Sequence, residues 1–162
     1  MTKTWQATET IEIDAPPEAV WRIVTDVGRH PQLAGSGEVK AIRTNGRLSV
    51  GTTWEADEKV MGQSFQAMSR CIELEPARAF GWQSFPPPMR KGRPDSAPEV
   101  TWRFDLSPAR AGTLVEHSFR VAAPASGAGL FRALYAVTRR PRTIRRGMRG
   151  TLRNLKTAAE EG

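Results

Sequence analysis

Residues 11–33 read Ile-Glu-Ile-Asp-Ala-Pro-Pro-Glu-Ala-Val-Trp-Arg-Ile-Val-Thr-Asp-Val-Gly-Arg-His-Pro-Gln-Leu, and the hydrophobic period changes partway along them. Upstream, Trp5 to Asp14 alternates and is rich in Thr and Ile, the pattern of a strand. Asp14 or Ala15 then stands near a helix N-cap, proline is tolerated in the first turn, and Glu18 suits the positive end of the helix dipole. Val20, Trp21, Ile23, Val24 and Val27 follow at helical spacing, with Gly28 as the expected stop and a second short helix expected from Gln32 to Ala34.

Beyond the Gly35–Gly37 turn the chain reads as strands divided by turn signals. They are expected at Glu38–Arg43, Thr52–Val60, Ser64–Glu75, Ala79–Phe85, Thr101–Leu106 and Thr113–Val121, which with the first makes seven. Short connections predict antiparallel neighbours. The segment 86–98 carries five prolines and is too long for a hairpin turn. Its two readings are a surface excursion and a lid over a cavity.

The last segment is expected to be one long helix. Leu130, Leu134, Val137, Pro141, Ile144, Met148, Leu152 and Leu155 are spaced 4, 3, 4, 3, 4, 4, 3, a continuous apolar stripe. Pro141 inside that stripe is expected to bend the helix and free the carbonyl of Val137. Arg139, Arg142, Arg146, Arg149 and Arg153 repeat at 3 or 4 on a neighbouring face. The formal charge of +7 resides here: between His117 and Ala159 there are ten basic residues and no acidic one, leaving 14 basic against 17 acidic elsewhere. Such asymmetry fits an anionic partner, with a plain solvated face as the other reading.

One domain over residues 1–162 fits the length, and five tryptophans argue against disorder. No stretch approaches the length of a membrane span, and the N-terminus has no apolar signal region. With a single cysteine, Cys71, the expected location is the cytoplasm, with peripheral membrane contact through the basic helix as an extension.

The order strand, helix pair, six strands and long helix, together with Ala15, Pro16, Val20, Trp21, Asp26 and Pro31, resembles the START-like superfamily, in its polyketide cyclase/dehydrase and lipid transport branch. Gly51-Thr52 and Gly112-Thr113 at the openings of two strands also match, whereas Leu33 stands where that family usually has Trp or Phe. The resemblance implies an α+β helix-grip fold, a seven-stranded curved antiparallel sheet wrapped around the C-terminal helix, with a cavity between. Family membership says less about activity, since the family includes cyclases, lipid carriers, hormone receptors and chaperone activators.

Strand alternation nominates the inward faces. Trp54 and Glu58, then Trp82, then Trp102 and Phe104, then His117 and Phe119, each share one. The fourth strand leaves Phe65 and Ala67 against Met68, Ile72 and Leu74, with a bulge able to exchange them. The expected ligand contacts are therefore Trp54, Glu58, Phe65, Trp82, Trp102, Phe104, His117, Phe119, Leu130, Leu134, Val137 and Met148. Glu58 and His117 are the candidates for acid–base chemistry, and the readings opposed to that are a solvated Glu58 and a His117 bonded to backbone.

No cofactor and no metal site is expected: two histidines and one cysteine make no ligand cluster, and no phosphate loop or nucleophile triad is legible. The leading function is binding of a hydrophobic small molecule such as a lipid, quinone or polyketide-like compound. In that reading the basic helix face could dock the protein on an anionic membrane. The alternatives are an aromatase/cyclase or dehydratase, and an interaction protein whose Arg-rich helix binds RNA or an acidic partner, with nucleic acid the less favoured partner.

Overall fold

The structure, a computed structural model, describes residues 4–44, 46–85, 99–122, 129, 133, 136–137 and 139–162. The elements run β1 (Thr4–Ile13), α1 (Pro17–Val24), a 3-10 turn (Val27–Arg29), α2 (His30–Leu33), β2 (Val39–Thr44), β3 (Thr53–Val60), β4 (Gln63–Glu75), β5 (Ala79–Phe85), β6 (Glu99–Ala109), β7 (Gly112–Ala122) and α3 (Arg140–Glu161). The strands form one antiparallel sheet in the order β1-β7-β6-β5-β4-β3-β2. Six of the seven strands follow chain order in reverse, as short connections require, and only β1 crosses over to pair with β7.

The turns explain themselves chemically. Val60 pairs with Gln63, and Met61 and Gly62 between them have φ of 52° and 81°. Two positive-φ residues make the hairpin turn whose twist matches that of the strands. β6 continues through Pro108 to Ala109, past the end expected at Leu106. The ring nitrogen is tolerated because β5 has stopped: Ala79 is its last partner for β6, opposite Asp105, and only the Leu106 N–H reaches the Arg78 carbonyl beyond it.

On β7, Val115, His117, Phe119 and Val121 are buried while Glu116 and Arg120 are exposed, as the alternation predicts. β4 turns Phe65, Ala67, Ser69 and Cys71 inward and leaves Met68 and Ile72 exposed. A bulge between Cys71 and Glu73 restarts the count and lets Leu74 pack against the core. Over that face lies α3. Ile144 and Met148 pack with Ala7, Phe119 and Val121, while Leu152 and Leu155 join Ile13, Phe104 and Val115. Val20 and Val24 of α1 complete this second cluster.

Three helices differ from expectation. α2 spans His30–Leu33 rather than Gln32 to Ala34, because Pro31 is accommodated in its first turn and Ala34 is already extended. α1 stops at Val24, before Gly28, because the Thr25 hydroxyl donates to the Trp21 carbonyl at 2.7 Å and the chain enters the 3-10 turn. The C-terminal stripe is also not one helix bent at Pro141. Arg139 adopts the left-handed conformation (φ 53°) and α3 begins at Arg140, so Pro141 lies in its first turn. A first-turn proline lacks only an N–H that no helix would use, which removes both the clash and the bend. Leu130, Leu134 and the 86–98 segment lie outside the described residues.

Candidate functional site

Between the sheet and α3 lies a cavity of about 340 Å³, within the usual size range of small-molecule sites. Its lining includes Trp54, Glu58, Phe65, Trp82, Trp102, Phe104, His117, Phe119 and Met148, nine of the residues nominated from the sequence. Val137 does not join them: it is exposed and stands outside the lining, because the left-handed turn at Arg139 separates it from the α3 stripe.

The aromatic residues form one continuous wall on β5, β6 and β7. Trp82 stacks on Phe80 at 4.9 Å and faces Trp102 at 6.4 Å. Trp102 meets Phe119 at 4.5 Å and the His117 ring at 5.5 Å, and His117 lies flat on Phe104 at 4.1 Å. The register makes this inevitable: Trp82, Trp102 and Phe119 are direct cross-strand partners, as are Phe80, Phe104 and His117.

His117 Nδ1 lies 3.0 Å from the carbonyl oxygen of Arg103. A carbonyl can only accept, so Nδ1 carries the hydrogen and Nε2 is left as a bare acceptor. Burial pushes its pKa down to about 4, the Arg103 carbonyl opposes that shift, and His30 adds to it. His30 was not among the residues nominated for the cavity, yet it lines it, buried, with Nε2 at 2.8 Å from the Val24 carbonyl and its ring 5.4 Å from that of Trp82. Burial lowers its pKa as well.

These shifts predict an acid-sensitive fold. An unfolded histidine takes up its proton near pH 6.5, whereas folded His117 resists protonation until about pH 4. Its contribution is constant above the first value and is lost as pH falls toward the second. Relative to His117→Gln, which keeps a donor for Arg103 but does not titrate, the wild type should lose about 2 kcal/mol of stability between about pH 7 and pH 4.5. Urea unfolding of both proteins at the two pH values measures this, and a pH-independent difference would contradict it.

Glu58 does not meet His117. It sits on β3, four strand spacings from β7 and on the order of 19 Å along the sheet, so the pair cannot exchange a proton directly. Instead, Glu58 pairs in register with Val39, beside Glu38. The Arg140 guanidinium from the start of α3 grips Glu38 with two hydrogen bonds of 2.5 and 2.9 Å. Both side chains are about four-fifths buried, at 18% and 22% exposure. Burial raises the Glu58 pKa to about 7, with the Glu38 charge adding and that of Arg140 opposing. Among the described residues Glu58 has no hydrogen-bond or ion-pair partner.

Neither Glu38 nor Arg140 was nominated from the sequence. They are 102 residues apart, and only the acid-free stretch containing Arg140 hinted at a need for acidic partners. Two further polar linings satisfy each other: the Ser69 and Ser84 hydroxyls are 3.0 Å apart. Cys71 is buried in the core and outside the cavity lining.

Of the basic stripe, Arg139, Arg142, Arg146 and Arg153 are exposed and, among the described residues, without an ion pair. Arg149 is exposed but tied to Glu9 at 3.1 Å, and Arg145 holds the other oxygen of that carboxylate at 3.0 Å. Among the described residues no helix is long and apolar enough to cross a membrane.

A family model described as polyketide cyclase / dehydrase and lipid transport matches residues 4–160. Among curated proteins, the uncharacterized protein Rv0088 of Mycobacterium tuberculosis is 31% identical over 78 residues, 48% of this chain and 35% of that protein. The match thus spans about a third of that relative's length. Among solved structures, the Zhui aromatase/cyclase from Streptomyces sp. R1128 has a TM-score of 0.73 at 16% identity, covering 98% of this chain and 94% of that one. The di-domain aromatase/cyclase StfQ of the steffimycin pathway also scores 0.73, at 14% identity, covering 98% of this chain and 51% of that one. Ara h 8.0201 scores 0.65 at 12% identity, covering 99% and 100%. At such identities the likeness to these structures is one of fold.

Proposed function

The chain belongs to the polyketide cyclase/dehydrase and lipid transport family, and from that premise we propose that it is a binding protein for a flat or elongated hydrophobic molecule, lipid, quinone or polyketide-like, held between the sheet and α3. The observation that carries this reading is the aromatic wall of Trp82, Trp102, Phe104 and Phe119 facing a 340 Å³ cavity. Rings arranged in this way stack on or enclose a planar apolar ligand. Binding is favoured over turnover because the two titratable candidates lie on separated strands, and His117 is committed to the Arg103 carbonyl. An aromatase/cyclase or dehydratase activity is the alternative, the first resting on the names of the structural neighbours and the second on the family's description.

Native mass spectrometry of the freshly purified protein, followed by organic extraction, tests the reading. A discrete added mass of a few hundred daltons, absent from Trp102→Ala, is expected. An apo mass together with no uptake of an aromatic fluorophore would overturn it.

The exposed arginines support a docking surface for the same function. Arg142, Arg146 and Arg153 stand on the side of α3 turned away from its buried face, with Arg139 exposed just ahead of the helix, and a membrane carrying anionic lipid is the surface they fit. Each contributes about 1 kcal/mol near such a surface, and the attraction is screened by salt. Sedimentation with phosphatidylserine vesicles is expected at low salt, with release at high salt and upon Arg142→Glu combined with Arg146→Glu. Failure to sediment at low salt would rule the surface out.

A further inference from the structure

The polar end of the cavity constrains what a ligand can present there. Glu58 lines the cavity from β3, and the charged groups of the described residues that bear on it are Glu38, just ahead of β2, and Arg140 from the first turn of α3. Its neighbour Lys59 alternates to the opposite, exposed face. Because both Glu38 oxygens are held by the Arg140 guanidinium, those two charges cancel at close range. What remains at this end is a single carboxyl group, half-buried, with no partner among the described residues. The surrounding lining is mostly apolar: Val39, Ile42, Trp54, Val60 and Phe65.

A ligand carboxylate placed there would meet two acidic side chains and a guanidinium already engaged. A purely aliphatic ligand would bury the Glu58 carboxyl without a partner, which costs binding free energy. A neutral acceptor oxygen avoids both penalties, provided that Glu58 carries its proton.

We propose that Glu58 is a hydrogen-bond donor built into the cavity, selecting ligands whose head is an uncharged carbonyl oxygen, as in a ketone or quinone, over carboxylates of similar shape. This rests on the cavity being the binding site. The burial that raises the Glu58 pKa to about 7 keeps a large share of it protonated near neutrality, so binding is linked to proton occupancy. Tight binding belongs below that value, and affinity falls as pH rises through it.

The experiment uses two probes: 6-propionyl-2-dimethylaminonaphthalene, a naphthyl ketone whose emission shifts to the red when its carbonyl accepts a hydrogen bond, and 2-naphthoate, a carboxylate. Both are titrated into wild type, Glu58→Gln, Glu58→Leu and Trp102→Ala from about pH 6 to about pH 8.5. In the wild type the ketone should bind about tenfold more weakly at the upper end, one hydrogen bond's worth, with its red-shifted emission lost in parallel. Glu58→Gln retains an N–H donor and should bind the ketone with no pH dependence. Glu58→Leu should also be flat, with blue-shifted emission. The carboxylate should bind more weakly than the ketone throughout.

Ketone binding that depends on Trp102 but is pH-independent in the wild type overturns the role of Glu58 and leaves the cavity reading standing. A preference for 2-naphthoate does the same. No binding of either probe to the wild type overturns both.

Discussion

Gly35→Ala is expected to cost more than about 3 kcal/mol, as overpacking against a backbone does. A Cβ on Gly35 would fall 2.4 Å from the carbonyl carbon of Gly150 and from the nitrogen of Thr151, both in the backbone of α3. Backbone atoms have no rotamer by which to move aside. A Cβ on Gly150 would in turn stand 2.9 Å from the Gly35 Cα, so the segment after α2 and the helix cross with no side chain between them. The crossing is locked by hydrogen bonds from the Gly35 N–H to Thr151 Oγ1 and from Asn154 Nδ2 to the Leu33 carbonyl, each 3.0 Å. Ser36 and Gly147, which follow in the same contact, line the cavity, so displacing α3 here would also alter the ligand site. Gly37→Ala is the control. Gly37 has φ of 67° and open space around it, so only the conformational cost of about 1 kcal/mol applies. Urea unfolding compares the two, and equal costs would mean that the close crossing does not hold in solution.

Arg140→Met is the second large effect, expected to cost about 3 kcal/mol near pH 8 and markedly less near pH 5.5. Removing one partner of a mostly buried pair leaves an uncompensated charge, here two neighbouring carboxyl groups with no guanidinium between them. That repulsion is relieved by taking up a proton, so the variant recovers as pH falls. Glu58 sets the window. Its folded pKa of about 7 lies above the ordinary 4.5, so in the wild type its ionisation already opposes folding as pH rises toward and through 7. Without Arg140, whose charge lowers that pKa, the penalty grows. Unfolding free energies of both proteins at the two pH values provide the measurement. A destabilisation equal at both would show that the ion pair is solvated and contributes as a surface pair does.

The boundary between what the sequence supplied and what folding added runs through particular residues. Alternation on β7 told which side chains face inward because the period of a strand is two, and Val115, His117, Phe119 and Val121 are all buried. The same reasoning produced Trp54, Trp82, Trp102 and Phe104, and the helical stripe produced Ile144, Met148, Leu152 and Leu155. The 11–33 stretch, with its change of period and its prolines, was enough to order the first elements and the family.

A period, however, specifies a face and says nothing of distance. Glu58 and His117 both face inward, and it is the run of sequential pairings from β3 through β4, β5 and β6 to β7 that puts four strand spacings between them. Glu38 and Arg140 carried no local signal at all, because a pair 102 residues apart exists only once β2 and the start of α3 are packed together. The turn at Arg139 escaped the pattern because the apolar spacing runs on across it, while the proline two residues later could be accommodated either by a bend or by a new helix start. Thus the sequence by itself determined the elements, their inward faces and the aromatic character of the cavity, all local consequences of side-chain period and turn chemistry. Tertiary structure alone decided which polar groups share the cavity end and where Glu58 acquires its raised pKa, because burial and charge proximity are properties of packed elements and not of residues in order.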